Sequence, residues 1–299
     1  MPSAKKSSLA LFLQDIEEQV QSQIEKAVST STTALEARLQ SSRELKVVTK
    51  DRTQSLKGLK HEQLPLLITV AGLRQPALMV GMAGTGKTHA SEQVAEALGL
   101  DFYSMSVGAQ TSKSDIIGYM NAGGGYVSTQ FRNAYEQGGV FLMDEIDAGN
   151  ANVLIQINSA LSNRQASFPD SMVKMHKDFV FIATANTYGT GMNRQYVGRN
   201  QLDAATLDRF TVVDWAIDTN LEQAMATQER WYEVVKACRE YVMEHEIRAL
   251  ITPRATVKGC QLLDAGLEVG VVIGSVLLNS VPDDRKEELN ELALKTYTC

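Results

Sequence analysis

The stretch Gly81-Met82-Ala83-Gly84-Thr85-Gly86-Lys87-Thr88 limits what this chain can fold into more than any other. It follows a short apolar run, Ala77-Leu78-Met79-Val80, and leads into residues 90–99, which have helical spacing and end in a glycine. The pattern is G-x4-G-K-T between a predicted strand and a predicted helix. A loop can wrap a polyphosphate only if its backbone N–H groups turn inward, and glycine adopts the necessary conformations without strain. The helix that follows offers unpaired N–H groups and the positive end of its dipole to an anion. Gly81 through Thr88 are therefore the candidate nucleotide-binding residues. Lys87 would reach the β and γ phosphates, and the Thr88 hydroxyl would ligate Mg²⁺. The order of glycines differs from the G-x-G-x-x-G of dinucleotide folds. In isolation the same residues could form a glycine-rich turn that binds nothing, and the later motifs argue against that.

The second chemical station is Gly139-Val140-Phe141-Leu142-Met143-Asp144-Glu145. A continuous apolar run ending in carboxylates suits a buried parallel strand whose C-terminal edge faces a metal–phosphate site. Asp144 is the candidate Mg²⁺ residue, acting through water, and Glu145 the group that polarises an attacking water; the plain alternative is an acidic turn. A third run, Phe179 to Ala185, ends in Asn186. That amide either orients the water or simply starts a turn.

Composition and charge bound the rest. A chain of 299 residues with 44% apolar residues fits one large unit and a smaller one. The net charge of −6 is uneven: residues 1–60 hold ten Lys/Arg against seven Asp/Glu, leaving 19 against 28 beyond. An acidic body argues against whole-surface nucleic-acid binding but leaves a local basic patch open. Three cysteines without C-x-x-C spacing suggest neither a disulfide framework nor a zinc site, and a reducing cytoplasm is the expected setting. The N-terminal apolar run is too short for a secretion signal, and the uncharged stretch 269–281 too short to span a bilayer, so no membrane partner is expected.

Along the chain, apolar residues at 9, 12, 13, 16, 20, 24 and 28 predict an amphipathic helix that needs a partner surface. Residues 43–60 read as a solvated linker, with a nucleic-acid contact as the lesser alternative. A helix beginning near Leu64 is expected under the P-loop strand, and a strand over 101–107. Residues 118–127 and 165–177 read as two projecting hairpins. From about 220 onward the pattern is helical. There Thr252 and Pro253 predict a helix start that puts Arg254 at a helix N-terminus, an odd place for a cation unless an anion faces it.

With these stations in order, residues 62–260 resemble the AAA+ ATPases, and within them the MoxR and dynein-related group that includes the CbbQ, NorQ and CobS proteins. The resemblance is carried by the P-loop, Asp144-Glu145, Ser114-Asp115-Ile116-Ile117-Gly118, Ala185-Asn186-Thr187, Leu202 to Phe210, and Thr252-Pro253-Arg254-Ala255. It implies a five-stranded parallel sheet of order 5-1-4-3-2 and a helical lid, giving an extension over 1–60, an ATPase core over 61–218 and a lid over 219–299. It also implies a homo-oligomeric ring, usually a hexamer, with ATP and Mg²⁺ between subunits. Arg209 would then be the finger that reaches a neighbour's γ-phosphate, with Arg199 a second candidate, and Arg254 would contact nucleotide from the lid. The two hairpins would line or crown the central pore.

The leading functional expectation is a ring ATPase that remodels or activates a partner protein, the partner carrying a von Willebrand factor A-type (VWA) domain on a separate chain, since no D-x-S-x-S occurs here. A metal-chelatase role, CobS-like, is a special case. The alternative is a nucleic-acid-directed motor using Lys113, Arg132, Arg164, Lys174, Lys177 and the 43–60 stretch, although these are scattered and little interleaved with aromatics. A switch that binds without hydrolysing would need neither Glu145 nor a finger. ATP is favoured over GTP because no N-K-x-D-like motif follows the P-loop.

Overall fold

The strands β-branched and aromatic enough to be buried on both faces do become the centre of the molecule. In this computed structural model, which describes residues 45–48, 53–192 and 195–298, the chain opens with a hairpin of β1 (Leu45–Val48) and β2 (Thr53–Leu56). Then follow α1 (Leu64–Gly72), β3 (Ala77–Val80), α2 (Lys87–Leu98), β4 (Phe102–Ser106), α3 (Lys113–Ile117) and a small hairpin of β5 (Tyr119–Met120) and β6 (Tyr126–Val127). Next come α4 (Gln130–Gln137), β7 (Gly139–Asp144), α5 (Ala151–Asn163), the hairpin β8 (Gln165–Ser167) and β9 (Met172–Lys174), β10 (Phe179–Ala185), α6 (Ala204–Leu207) and β11 (Thr211–Asp214). The C-terminal part is helical: α7 (Thr219–Met225), α8 (Glu229–Glu244), α9 (Pro253–Asp264), α10 (Val269–Val276) and α11 (Asp283–Thr298).

Strands β11, β3, β10, β7 and β4 form one parallel sheet in that order. Numbered within the sheet this is 5-1-4-3-2, the α/β P-loop fold expected from the motifs. Every residue of β3 and β10 is buried, as a strand covered on both faces requires. One face packs on α1 and α2 through Leu67, Val94 and Leu142; the other packs on α4 and α5 through Phe131, Tyr135, Phe141 and Ile157. The Lys87, Asp144 and Asn186 positions fall together because β3, β7 and β10 run parallel and all end at the same edge.

The helical part has its own core around Trp231, whose indole donates to the Ala255 carbonyl at 3.0 Å. Inside it Glu222 and Arg239 form a two-pronged ion pair, Nη1 to Oε2 at 2.8 Å and Nη2 to Oε1 at 2.6 Å, and Arg239 Nε donates to the Ile251 carbonyl at 2.9 Å. The Thr256 hydroxyl donates to the same glutamate. A buried pair satisfied in this way is costly to break singly, so it fixes where the start of α9 sits. Cys238 and Cys260 are buried and unbonded to each other, and burial pushes the Cys238 thiol up to about 12. Among the described residues no helix is long and apolar enough to cross a membrane.

Three sequence expectations differ from the structure. Within 43–60, the described residues 45–48 and 53–60 are not a solvated linker, because β1 and β2 pair in register from Leu45↔Leu56 to Val48↔Thr53 and Leu56 is 1% exposed in the core beside α2. Too few apolar residues alternate there for the pattern to show over the intervening lysines. The hairpin at 165–174 does not simply project: Phe168 and Val173 are buried against Phe131 and Tyr135. Arg132, counted as a basic residue for nucleic acid, is buried under that hairpin, with the Phe168 ring 4.4 Å away, Glu136 at 2.7 Å and Asp170 at 2.8 Å. With two carboxylates on it, the guanidinium is committed internally. The amphipathic pattern at 9–28 lies outside the described residues.

Candidate nucleotide site

The P-loop leaves β3 and enters α2 with Gly84 at φ 80° and Gly86 at φ 84°, left-handed conformations that admit glycine cheaply. At Gly84 a side chain would also meet Thr252 and Arg254, so the start of α9 lies directly over the loop. Beneath the loop, Trp215 donates its indole N–H to the Thr85 carbonyl at 3.1 Å and stacks on His61 at 4.0 Å.

Lys87 is buried and its ammonium uses all three donors: Gly81 carbonyl at 2.6 Å, Met82 carbonyl at 2.9 Å and Asn186 Oδ1 at 3.1 Å. Burial pushes its pKa down to about 8, against the opposing pull of Asp144, Asp147 and Glu145. The Asn186 side chain turns its other end to Glu145, donating to Oε1 at 3.4 Å. One amide thus links the lysine at the start of α2 with the glutamate that follows β7. Asp144 accepts from the Thr184 hydroxyl, which in turn accepts the Glu145 N–H at 2.9 Å. Glu145 sits at φ 60°, a left-handed backbone that a branched-free but non-glycine residue occupies at a cost of about 1–2 kcal/mol.

A cavity of about 280 Å³ is lined by Ala83, Lys87, Thr88, Asp144, Glu145, Asn186 and Arg254. It adjoins a larger one of about 670 Å³, with which it shares Gly84, Gly86, His89 and Arg254. Apolar or aromatic groups from three regions line that larger space: Leu59 and His61, Leu221 and Met225, and Pro253 and Val257. One wing is thus polar, with Lys87 and Arg254 beside Asp144 and Glu145, and the other is fit for a flat apolar ring. The Thr88 hydroxyl and Asp144 carboxylate are hard oxygen donors on the polar wing, a set that fits Mg²⁺ completed by phosphate and water. Among the described residues no group of three or more His, Cys, Asp or Glu could hold a metal alone.

Of the residues chosen from sequence, Ala83, Gly84, Gly86, Lys87, Thr88, Asp144, Glu145, Asn186 and Arg254 line this cavity, Thr85 lines the adjoining one, and Gly81 and Met82 hold the Lys87 ammonium, while Arg209 and Arg199 line neither. Arg209 is exposed on a separate groove, with Nε on the Ser162 hydroxyl at 3.3 Å and Nη1 on the Ala205 carbonyl. Arg199, the second candidate for contact to a neighbour, bonds Glu145 Oε2 at 3.2 Å and Asp147 Oδ1 at 3.3 Å of its own chain. Asp147, Thr184 and Tyr196 carried no assigned role in the sequence. Asp147 is completely buried and receives the Asn186 and Thr187 N–H groups and the Thr187 hydroxyl, each at 3.0 Å. The only sequence signal for it was a third acid two residues beyond Glu145.

Residues 76–210 match the AAA domain of the dynein-related subfamily. Asp144, Glu145, the P-loop and Arg209 fall inside the matched residues, while the hairpin of β1 and β2 and the helical part lie outside them. Over 46% of its length the chain is 31% identical to the aerobic cobaltochelatase subunit CobS of a Sinorhizobium species, covering 44% of that protein. Over 76% of its length it is 26% identical to a Lon protease of Finegoldia magna, covering 30% of that protein. The chain thus spans less than half the length of these relatives. Among solved structures it is similar to NtrX of Brucella abortus (16% identity, TM-score 0.45, 97% of this chain and 58% of that one) and a RuvB mutant of Thermotoga maritima (16%, 0.45, 79% and 68%). The strand order, rather than these distant likenesses, defines the fold.

Proposed function

We propose that the chain is a Mg²⁺-dependent ATPase that works as a homo-oligomeric ring and couples hydrolysis to remodelling or activating a partner protein, in the manner of the MoxR, CbbQ and CobS proteins. The observation that carries the hydrolytic reading is the relay Lys87–Asn186–Glu145, which joins the phosphate-binding lysine to a carboxylate at the edge of the sheet. A binding-only site has no use for that carboxylate. Lys87 would exchange its two backbone carbonyls for phosphate oxygens, and the apolar wing would hold the base against Leu59 and Met225. Glu145 would orient and polarise water, with Asn186 fixing one of its oxygens. Bound at Thr88 and Asp144, Mg²⁺ would neutralise phosphate charge. Arg254, at the start of α9, would sense nucleotide from the helical part.

The likeness to CobS, by its name one subunit of a larger enzyme, supports a reading in which other polypeptides complete the activity, among them a VWA-type partner. The nucleic-acid reading loses Arg132 to internal ion pairs. Glu145→Gln should bind ATP, hydrolyse it slowly and stay assembled. Capture with ATP from a host extract, compared with Lys87→Ala, is expected to retain a protein partner. Retention of nuclease-sensitive nucleic acid instead would overturn the partner-protein reading.

The lowered Lys87 pKa gives a second expectation. Below pH 8 the ammonium is charged both free and phosphate-bound. Between about 8 and the ordinary 10.5 it is neutral in the free chain but recharged by bound phosphate, so binding takes up a proton. ATP affinity is therefore expected to fall as pH rises past 8, with a slope approaching about tenfold per unit. Isothermal titration in buffers of different ionisation enthalpy would detect the proton; a flat affinity from pH 7 to 10 would contradict it.

A further inference from the structure

The turn at residues 196–199 touches both banks of the site. On one bank the Tyr196 hydroxyl accepts the N–H of Ala83, a backbone donor of the phosphate loop, at 3.0 Å. On the other, Arg199 grips Glu145 and Asp147 through Nη1. Asp147 is an anchor, not a mobile acid, because its Oδ2 is already saturated by three donors and only Oδ1 is turned to Arg199. The backbone fixes the turn further: the Asn200 N–H reaches the Asp147 carbonyl at 2.6 Å, and the Asn200 side chain reaches the Gly149 carbonyl at 2.8 Å. The guanidinium also lies 5.9 Å from the centre of the Tyr196 ring.

Arg199 is thereby held with one nitrogen engaged, while Nε and Nη2 have no partner among the described residues. Its side chain is 13% exposed. A largely desolvated guanidinium with donors to spare, one bond from the carboxylate that would polarise water, suits an anion that gathers charge during reaction. Resting on the ATPase reading above, we propose that Arg199 is a catalytic arginine acting in cis, donating to the γ-phosphate bound by its own subunit. In the step it serves, the oxygen of water forms a bond to the γ-phosphorus as the bond to the β–γ bridging oxygen breaks. ADP and inorganic phosphate result, and the water proton leaves by way of Glu145 to solvent. Arg199 alters none of that balance; it offsets charge on the transferred group, and Tyr196 keeps the turn against the loop. Arg209, on its separate groove, is left to the neighbour's site.

Mixed assemblies separate cis from trans. Arg199→Ala is expected to lower ATP turnover roughly a hundredfold or more while retaining a fluorescent ATP analogue. Mixing it with Lys87→Ala subunits should restore nothing, because no subunit then carries both residues. If Arg199 acted across the interface, the Lys87→Ala neighbour would supply it and turnover would return, which would overturn the proposal. Arg199→Lys, which keeps charge but loses the fork, should recover part of the rate with the same cis pattern. In single-turnover reactions diluted below assembly, Arg199→Ala should still slow the residual hydrolysis relative to the unmodified chain. An unchanged residual rate would also overturn it. Absence of ATP hydrolysis by the unmodified chain would instead remove the ATPase reading beneath the proposal.

Discussion

Replacing Arg209 with alanine is expected to lower ATP turnover by roughly a thousandfold while leaving ATP binding intact. The residue is exposed and lines the groove with Ile155, Asn158, Ser162 and Asp203, away from the P-loop cavity of its own chain. Among the described residues it holds only a hydroxyl and a backbone carbonyl, so no ion pair among them would be broken by its loss. A fold defect is therefore a poor explanation for lost activity, and thermal unfolding should move little. On the proposed ring reading a neighbour would supply this charge to the transition state, so hydrolysis by the unmodified chain should rise steeply with protein concentration as subunits assemble. In Arg209→Ala that rise should vanish, and adding Lys87→Ala subunits should bring turnover back. Turnover equal to the unmodified chain would remove Arg209 from the site.

Gly81→Ala should have the largest effect on stability. A methyl group there would lie 1.9 Å from the Trp215 carbonyl oxygen and 2.7 Å from its carbonyl carbon. Both are backbone atoms of the chain leaving β11, which is pinned by the Trp215 N–H to the Val80 carbonyl at 2.6 Å. Neither neighbour can rotate away, so β3 and β11 must separate, with the indole–Thr85 bond stretched as a result. The expected loss is about 3 kcal/mol or more, at the upper end for overpacking. Chemical denaturation would measure it, and ATP binding should weaken with it. A midpoint within experimental error of the unmodified chain would show that the loop moves freely over Trp215.

Sequence reading reached the parts of the site that lie at strand ends. Runs such as Val140 to Met143 are apolar throughout because both faces are covered, so the first polar residues after them, Asp144 and Asn186, stand out. The phosphate loop is local by construction, and its glycines speak for themselves. What sequence could not show is contact across distance. Arg199 and Glu145 are 54 residues apart, Tyr196 and Ala83 113 apart, and no periodicity links them. Arg199, a second candidate for a neighbour's phosphate, is bonded within its own chain to Asp147, which takes four donors from two other segments. Likewise the hairpin of β1 and β2 is held by Leu56 and its registry, features too sparse among lysines to announce a strand. The apolar wing is assembled from three separate regions, none of which has a motif.

The left-handed backbone at Glu145 sets two demands on that position against each other. Glycine or asparagine would rest there more comfortably, and the nearby Thr184 hydroxyl and Thr187–Asp147 bonds keep the turn shaped whatever side chain it bears. A chain chosen for thermal endurance alone would drift away from glutamate at 145. On the proposed hydrolytic reading the fold tolerates the less restful residue because glutamate, unlike glycine or asparagine, sets a second carboxylate beside Asp144 at the sheet edge.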